Sequence, residues 1–122
     1  MKTYKDEKRR SQRIGIPLRV CLEGSTKVGR FETSCCDISG GGHKVLLDRE
    51  LPVGKELKTL LYFPDDPRPI LLFGKVAWSK RARTKDKREL YYNGIQHVRV
   101  SKKDNERFIF NFCDTMINFF MK

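Results

Sequence analysis

The chain has 122 residues, which is enough for one domain with a modest core and too few for two. Its 26 Lys and Arg outnumber its 15 Asp and Glu, and the net charge of +11 favours an anionic partner: nucleic acid, a phosphorylated small molecule, an anionic membrane surface or an acidic protein. No apolar run approaches the roughly 18 residues of a membrane span, and no basic and apolar leader opens the chain. We therefore expect a single cytoplasmic domain with no membrane span and no secretory signal.

The first 13 residues form a basic segment with little apolar content. They contain six Lys or Arg, and Met1 and Tyr4 are their main apolar side chains. Such a segment cannot bury enough surface to offset the entropy that it would lose on ordering. We predict a flexible basic arm over residues 1–13 and a folded domain over residues 14–122. Considered alone, the arm is typical of a solvated basic tail.

Alternating apolar and polar residues predict six short strands after the arm. Turn-forming residues separate them, for example in Asp65–Pro69, and no helical pattern lies between them. This pattern predicts a mainly β protein, an antiparallel sheet that closes into a six-stranded (split) β-barrel. The predicted strands are Pro17–Glu23, Val28–Ile38, Lys44–Asp48, Glu56–Phe63, Ile70–Trp78 and Glu89–Val100.

The fifth predicted strand ends at the only tryptophan of the chain and is followed by a basic loop. Strict alternation places Trp78 on the same face as Ile70, Leu72, Gly74 and Val76. We expect Trp78 in the core or at the barrel rim, and a base-stacking platform is the less favoured alternative. The loop Ser79–Arg88 holds six further Lys or Arg and forms a second basic contact point.

The end of the chain predicts a helix over about residues 102–120. Ser101 is the predicted N-cap, and Asp104 is expected to reach back to it. Apolar side chains recur at spacings of three and four and must be buried, most simply as a lid over the barrel mouth. A helix that docks a partner is the alternative. The predicted stripe consists of Ile109, Phe112, Met116 and Phe120, widened by Phe108 and Phe119.

Residues that support catalysis or metal binding are not apparent. The four cysteines lack the paired spacing of a zinc site, and reduced thiols are the expected state. His43 and His97 have no nucleophile or metal-ligand spacing around them, and no phosphate-binding P-loop is present. We therefore predict no catalytic residue, no metal site and no cofactor, and hence no enzyme.

The segment from Asp37 to Gly42 is the strongest candidate for a binding site. A carboxylate and the Ser39 hydroxyl end an extended run, and Gly40, Gly41 and Gly42 follow, so we expect a turn with positive φ and exposed N–H groups. A carboxylate accepts from the N1–H and amino groups of guanine, while an arginine fork donates to guanine or phosphate. The arginines of the arm and this turn are therefore complementary halves of one site.

Both halves match one known pattern. Arg9-x-x-x-Arg13 followed by Asp37-x-Ser39-x-x-Gly42 resembles the two-part signature of PilZ domains, bacterial receptors for cyclic di-GMP. Two later segments also resemble PilZ strands, so the likeness extends from about Glu7 to the final helix. The sequence departs from the pattern at His97, where an aromatic is common, and at His43-Lys44, where small or apolar residues are common. The two later segments are Gly74–Trp78 and Tyr91–Ile95.

The resemblance implies a role for each residue of the signature. Arg9 and Arg13 would hold phosphates and guanine faces, and Arg10 would add a phosphate contact. Asp37, Ser39 and Gly42 would line the opposing turn and contact guanine. From the glycine turn itself, we expect the N–H groups of Gly40 and Gly41 to add contacts to the base edge. The resemblance further implies that the ligand binds as a stacked pair beneath the arm, with Lys8 influencing whether one or two molecules are held.

The energetics favour coupling between binding and ordering of the arm. Two arginine contacts supply about 5 to 12 kcal/mol, whereas fixing Glu7–Arg13 costs about 7 to 14 kcal/mol. Contacts at Asp37, Ser39 and the glycines must therefore supply the further free energy that makes binding with an ordered arm favourable. We expect a noncatalytic cyclic di-GMP receptor, a monomer or weak dimer, that presents its ordered arm to a protein partner. The alternatives are an adaptor that acts only by protein contacts and a basic nucleic-acid-binding domain.

Overall fold

The computed structural model describes residues 18–24, 29–85 and 88–120, and within these ranges it contains six strands and one helix. The predicted arm, residues 1–13, lies outside the described residues. The elements in chain order are β1 Leu18–Glu23, β2 Arg30–Ser39, β3 Gly42–Leu47, β4 Glu56–Tyr62, β5 Ile70–Ala82, β6 Leu90–Val100 and α1 Lys102–Phe120.

The six strands form one closed antiparallel barrel in the order β1-β2-β3-β6-β5-β4. β4 pairs back to β1, which closes the ring, and each neighbouring pair is antiparallel. Closure leaves no unpaired sheet edge among these strands. The predicted six-stranded antiparallel barrel with a C-terminal helix is confirmed.

The alternating side chains of the strands fill the barrel as predicted. Leu18, Val20 and Leu22 of β1 point inward and are fully buried, as are Leu57 and Leu61 of β4. Burying an aliphatic side chain of this size contributes about 1.5 to 3 kcal/mol, so the inward rows are the main source of stability. All four cysteines, which lie in the described ranges, are free thiols.

Three register shifts interrupt the strand pairing and change which side chains face outward. The β2–β3 register passes from Cys35 to Asp37, and the β5–β6 register passes from Val76 to Trp78, so Cys36 and Ala77 are extra residues. The third shift, at Phe73–Gly74, makes Val98 of β6 an extra residue. An extra residue shifts the alternation by one position. The prediction that Trp78 shares the inward face of Val76 is therefore wrong, and its indole lies on the outer surface, 42% exposed.

The predicted basic loop Ser79–Arg88 is shorter than expected. β5 continues through Ala82, because Ser79, Lys80, Arg81 and Ala82 pair with β6 from Asn93 back to Leu90. Basic side chains that point to solvent obscure the apolar and polar alternation of Ser79–Ala82. The sequence therefore reads as a loop there, although the segment is a paired strand.

Helix α1 begins as predicted at its N-cap. The backbone N–H of Asp104 donates to Ser101 Oγ at 3.1 Å. The carboxylate of Asp104 makes different contacts from those expected, because it accepts from the Leu71 N–H and from Arg107, both at 3.1 Å. Asp104 thereby joins the first turn of the helix to β5.

The buried stripe of α1 is displaced from the predicted one. Phe108 and Phe112 are buried and Met116 packs against the core, whereas Ile109 is 53% exposed and Phe110 is 71% exposed. The predicted burial of Ile109 is wrong because apolar residues occur at adjacent positions, so the spacing alone fits more than one face. No helix in the described part of the chain is both long and apolar enough to span a membrane.

Candidate functional site

The turn between β2 and β3 brings Ser39 and the three glycines together at one end of the barrel. Ser39 is opposite Gly42, and Ser39 Oγ donates to the Gly42 carbonyl at 3.3 Å. The predicted positive φ at Gly40–Gly42 is wrong, because the described glycines with positive φ are Gly29 and Gly54. A different constraint requires glycine at position 42: an added Cβ would lie 2.6 Å from the carbonyl oxygen of Ile95.

His97 holds this turn from the neighbouring strand. Its backbone N–H donates to the Gly41 carbonyl at 2.9 Å. Its ring edge also meets the ring of Phe108, with centroids 5.6 Å apart. His97 therefore links the glycine turn to helix α1, a role that its spacing in the sequence does not indicate.

His43, the first residue after the glycines, points into the barrel and pairs with His97. The distance from His43 Nδ1 to His97 Nε2 is 2.8 Å. Burial, with the neighbouring His97, lowers the pKa of His43 to about 3, and burial lowers the pKa of His97 to about 4. Both rings are therefore neutral near pH 7. Among the described residues, His43 Nε2 has no hydrogen-bond partner.

A single row of paired residues crosses the outer face beside this turn. Asp37 on β2 is opposite Lys44 on β3, Lys44 is opposite Gly94 on β6, and Gly94 is opposite Trp78 on β5. A Cβ at Gly94 would overlap the indole of Trp78, so glycine is needed there for the ring to lie across the strand. The row combines a carboxylate, an ammonium and a partly exposed aromatic face.

This row borders a surface cavity of about 440 Å³. The volume lies within the range of small-molecule sites, about 300 to 1,000 Å³. Its wall contains both polar groups, such as the Ser39 hydroxyl, and the apolar ring of Trp78. Its lining includes Ser39, Gly41, Gly42, Lys44, Trp78 and Gly94.

The predicted site residues fall into two groups. Ser39, Gly41 and Gly42 line the cavity, Gly40 lies between Ser39 and Gly41 in the turn, and Asp37 is opposite the cavity residue Lys44. The structure brings them together through the β2–β3 hairpin. Arg9, Arg10 and Arg13 lie outside the described residues, so their approach to the turn remains a prediction.

The sequence interpretation missed Lys44 and Gly94 as site residues. A two-residue turn at Gly40-Gly41 implies that Asp37 and Lys44 are opposite each other, which is what the register has. The pairing of Asp37 with Lys44 was therefore predictable from the sequence. The position of Gly94 beneath Trp78 depends on the bulge at Ala77, which no local pattern predicts.

The fold and the cavity together define a small closed β-barrel module with a cavity lined by polar and aromatic side chains. The family model of the PilZ domain matches residues 7–114, and the chain therefore belongs to the PilZ domain family. The resemblance seen in the signature residues is thus confirmed. A comparison with curated protein sequences found no significant match.

Solved structures with the same fold include three bacterial proteins. The PilZ domain of YcgR from Escherichia coli with c-di-GMP is 16% identical with a TM-score of 0.67, covering 93% of this chain and 97% of that one. The MrkH–c-di-GMP complex of K. pneumonia is 20% identical with a TM-score of 0.72, and the match covers 89% of this chain and 52% of MrkH. The motility inhibitor MotI (DgrA) of Bacillus subtilis is 16% identical with a TM-score of 0.70, and the match covers 89% of this chain and 51% of MotI. The chain thus spans about half the length of MotI and MrkH.

Proposed function

We propose that the chain is a noncatalytic receptor for cyclic di-GMP. The observation that carries the proposal is the outer row from Asp37 to Trp78, beside the Ser39–Gly42 turn. Lys44 and an exposed indole on which a base can stack line one cavity, and the Asp37 carboxylate, which can accept from guanine N–H groups, lies 3.3 Å from Lys44 Nζ. YcgR and MrkH, which share the fold, have been solved with c-di-GMP bound, and this supports the same ligand class here.

The arm completes the proposed site. Arg9 and Arg13 supply the phosphate contacts, with Arg10 as a further contact, because bidentate arginine matches phosphate geometry. Ligand binding then orders residues 7–13 over the turn, and the ordered arm becomes available to a protein partner. Hydrogen exchange of residues 7–13, with and without cyclic di-GMP, tests this step. Equal exchange in both states would contradict the coupling.

A titration with four ligands tests the receptor function itself. Isothermal calorimetry with cyclic di-GMP, cyclic di-AMP, GTP and a mixed-sequence oligonucleotide is expected to show tight binding of cyclic di-GMP alone. Affinity for the oligonucleotide that falls steeply with salt, with no preference for the dinucleotide, would instead favour a nucleic-acid-binding domain.

One observation favours a second candidate function, an adaptor that acts through protein contacts alone. The outer side of α1 exposes Ile109, Phe110 and Ile117 beside Cys113. Exposed apolar clusters of this kind are typical of protein contact surfaces. Absence of binding to every nucleotide in the titration would favour the adaptor.

A further inference from the structure

The ion pair between Lys44 and Asp37 places a donor and an acceptor side by side at the cavity. Lys44 Nζ lies 3.3 Å from Asp37 Oδ2, and the two side chains are 28% and 19% exposed. The ammonium also lies over the ring of Tyr92, 4.7 Å from its centroid. Two contacts therefore hold the cation next to the carboxylate, where it is partly shielded from water.

This arrangement complements one edge of guanine. The Watson–Crick edge of guanine presents the O6 acceptor, then the N1–H donor, then the amino donor, whereas adenine presents an amino donor and then an acceptor. A carboxylate at Asp37 accepts from N1–H and the amino group of guanine. A donor adjacent to that carboxylate then meets O6, and Lys44 is the adjacent donor.

Resting on the proposed function, we infer that Lys44 is a specificity-determining residue that donates to guanine O6 while Asp37 accepts from the same base edge. An adenine in that position would direct its amino group at the ammonium, so two donors would face each other. Its ring nitrogen would face the carboxylate, so two acceptors would face each other. The pair thus rejects adenine on both contacts.

A phosphate is the competing occupant for Lys44, and the geometry is against it. A phosphate bound by Nζ would lie close to Asp37 Oδ2, because those two atoms are only 3.3 Å apart. The two anions would repel each other in a partly buried place. A base edge with a donor beside its acceptor satisfies both side chains without that repulsion.

The outer row also supplies a surface for the face of the same base. Gly94 lies between Lys44 and Trp78 in the row, and the indole lies against Gly94. Lys44 and Trp78 are two strand spacings apart, about 10 Å. A base stacked on the indole above Gly94 therefore lies beside the strand that carries Lys44, where its edge can reach the ammonium.

The test compares cyclic di-GMP with cyclic di-AMP, which has no guanine, by calorimetry. Lys44→Met keeps an unbranched side chain that is one atom shorter and removes the donor. We expect it to weaken cyclic di-GMP binding by about tenfold or more and to reduce the preference over cyclic di-AMP by a similar factor. Lys44→Arg restores a donor and is expected to retain most of the preference.

Lys58→Met is the matched control, because it removes the same charge from an exposed position on β4. It should leave both affinities unchanged, and melting temperatures of the three variants establish that they fold. An unchanged preference in Lys44→Met overturns the inference. An equal loss for both ligands with a reduced salt dependence also overturns it, since that result marks a phosphate contact. Failure of the unmodified protein to bind any cyclic dinucleotide would instead refute the proposed function.

Discussion

His43 Nδ1 and His97 Nε2 are 2.8 Å apart inside the barrel, directly beneath the glycine turn. The backbone N–H of His97 also donates to the Gly41 carbonyl at 2.9 Å. One of the two facing ring nitrogens carries a proton and donates it to the other. Hydrogen bonds of the ring and of the backbone of His97 therefore join His43 to the glycine turn.

The histidine pair predicts a fall in stability at mildly acid pH. Both pKa values are lowered from 6.5 in the folded state, to about 3 for His43 and about 4 for His97. The unfolded chain therefore binds more protons between pH 6.5 and 4, and the folded state loses stability as the pH falls through that window. We expect the free energy of unfolding to drop by about 2 kcal/mol from pH 7 to pH 5.5. Urea denaturation at both pH values measures it.

The matched variant for this prediction is the double substitution His43→Leu with His97→Phe. It replaces both titrating rings with apolar side chains. Its unfolding free energy should vary little over the same pH interval. A drop as large as that of the unmodified protein would assign the acid sensitivity to other groups.

Gly94→Ala is expected to weaken cyclic di-GMP binding by about tenfold, because a Cβ at this position overlaps the Trp78 indole and displaces the stacking surface. Tryptophan fluorescence should change in the same variant, since Trp78 is the only tryptophan. Trp78→Ala should cost a similar factor, and the double variant should be no worse than either single one. Additive losses would show that Gly94 acts independently of the indole.

Two phenylalanines of α1 are expected to differ sharply in their contribution to stability. Phe108 is 5% exposed and contacts the rings of Phe63, His97 and Phe112, so Phe108→Ala should cost about 3 kcal/mol or more. Phe110 is exposed, and Phe110→Ala should change stability by less than about 0.5 kcal/mol. Thermal denaturation compares the two. Equal effects would place the helix differently on the barrel.

The signature arginines are expected to contribute to binding without contributing to the fold. Arg9→Ala or Arg13→Ala should weaken cyclic di-GMP binding by about tenfold to a hundredfold, because a charge-assisted contact is lost, and should leave the melting temperature unchanged. Lys2→Ala is the control, since it removes a charge from the same arm outside the motif. Unchanged affinity in the arginine variants would remove the arm from the site.

The barrel was predictable from sequence because most of its strands alternate without interruption. Leu18, Val20 and Leu22 repeat every second residue, and burial follows directly. The hairpin that presents Asp37, Ser39 and Gly42 was predictable for a related reason, since a carboxylate, a hydroxyl and glycines end an extended run. These features depend on residues close together in the chain.

The features that were missed depend on residues far apart in the chain. The carboxylate of Asp104 contacts the Leu71 N–H, 33 positions away, and His43 contacts His97, 54 positions away. Phe108, Phe112 and Met116 of the predicted helix stripe do pack on the core, whereas Ile109 does not. Ile109 was misplaced because Phe108, Ile109 and Phe110 are consecutive, so periodicity alone fits several orientations. Packing against Phe63 and His97 determines that Phe108 is the buried residue of the three.

The bulge at Ala77 divides β5 into two stretches that are out of phase, one contributing to the interior and one to the surface cavity. Ala77 itself is exposed, so the identity of its side chain matters little. The number of residues between Val76 and Trp78 matters a great deal. Loss of that single residue would turn the indole toward an interior that is already full, so deleting one exposed alanine would disrupt both the core and the cavity wall.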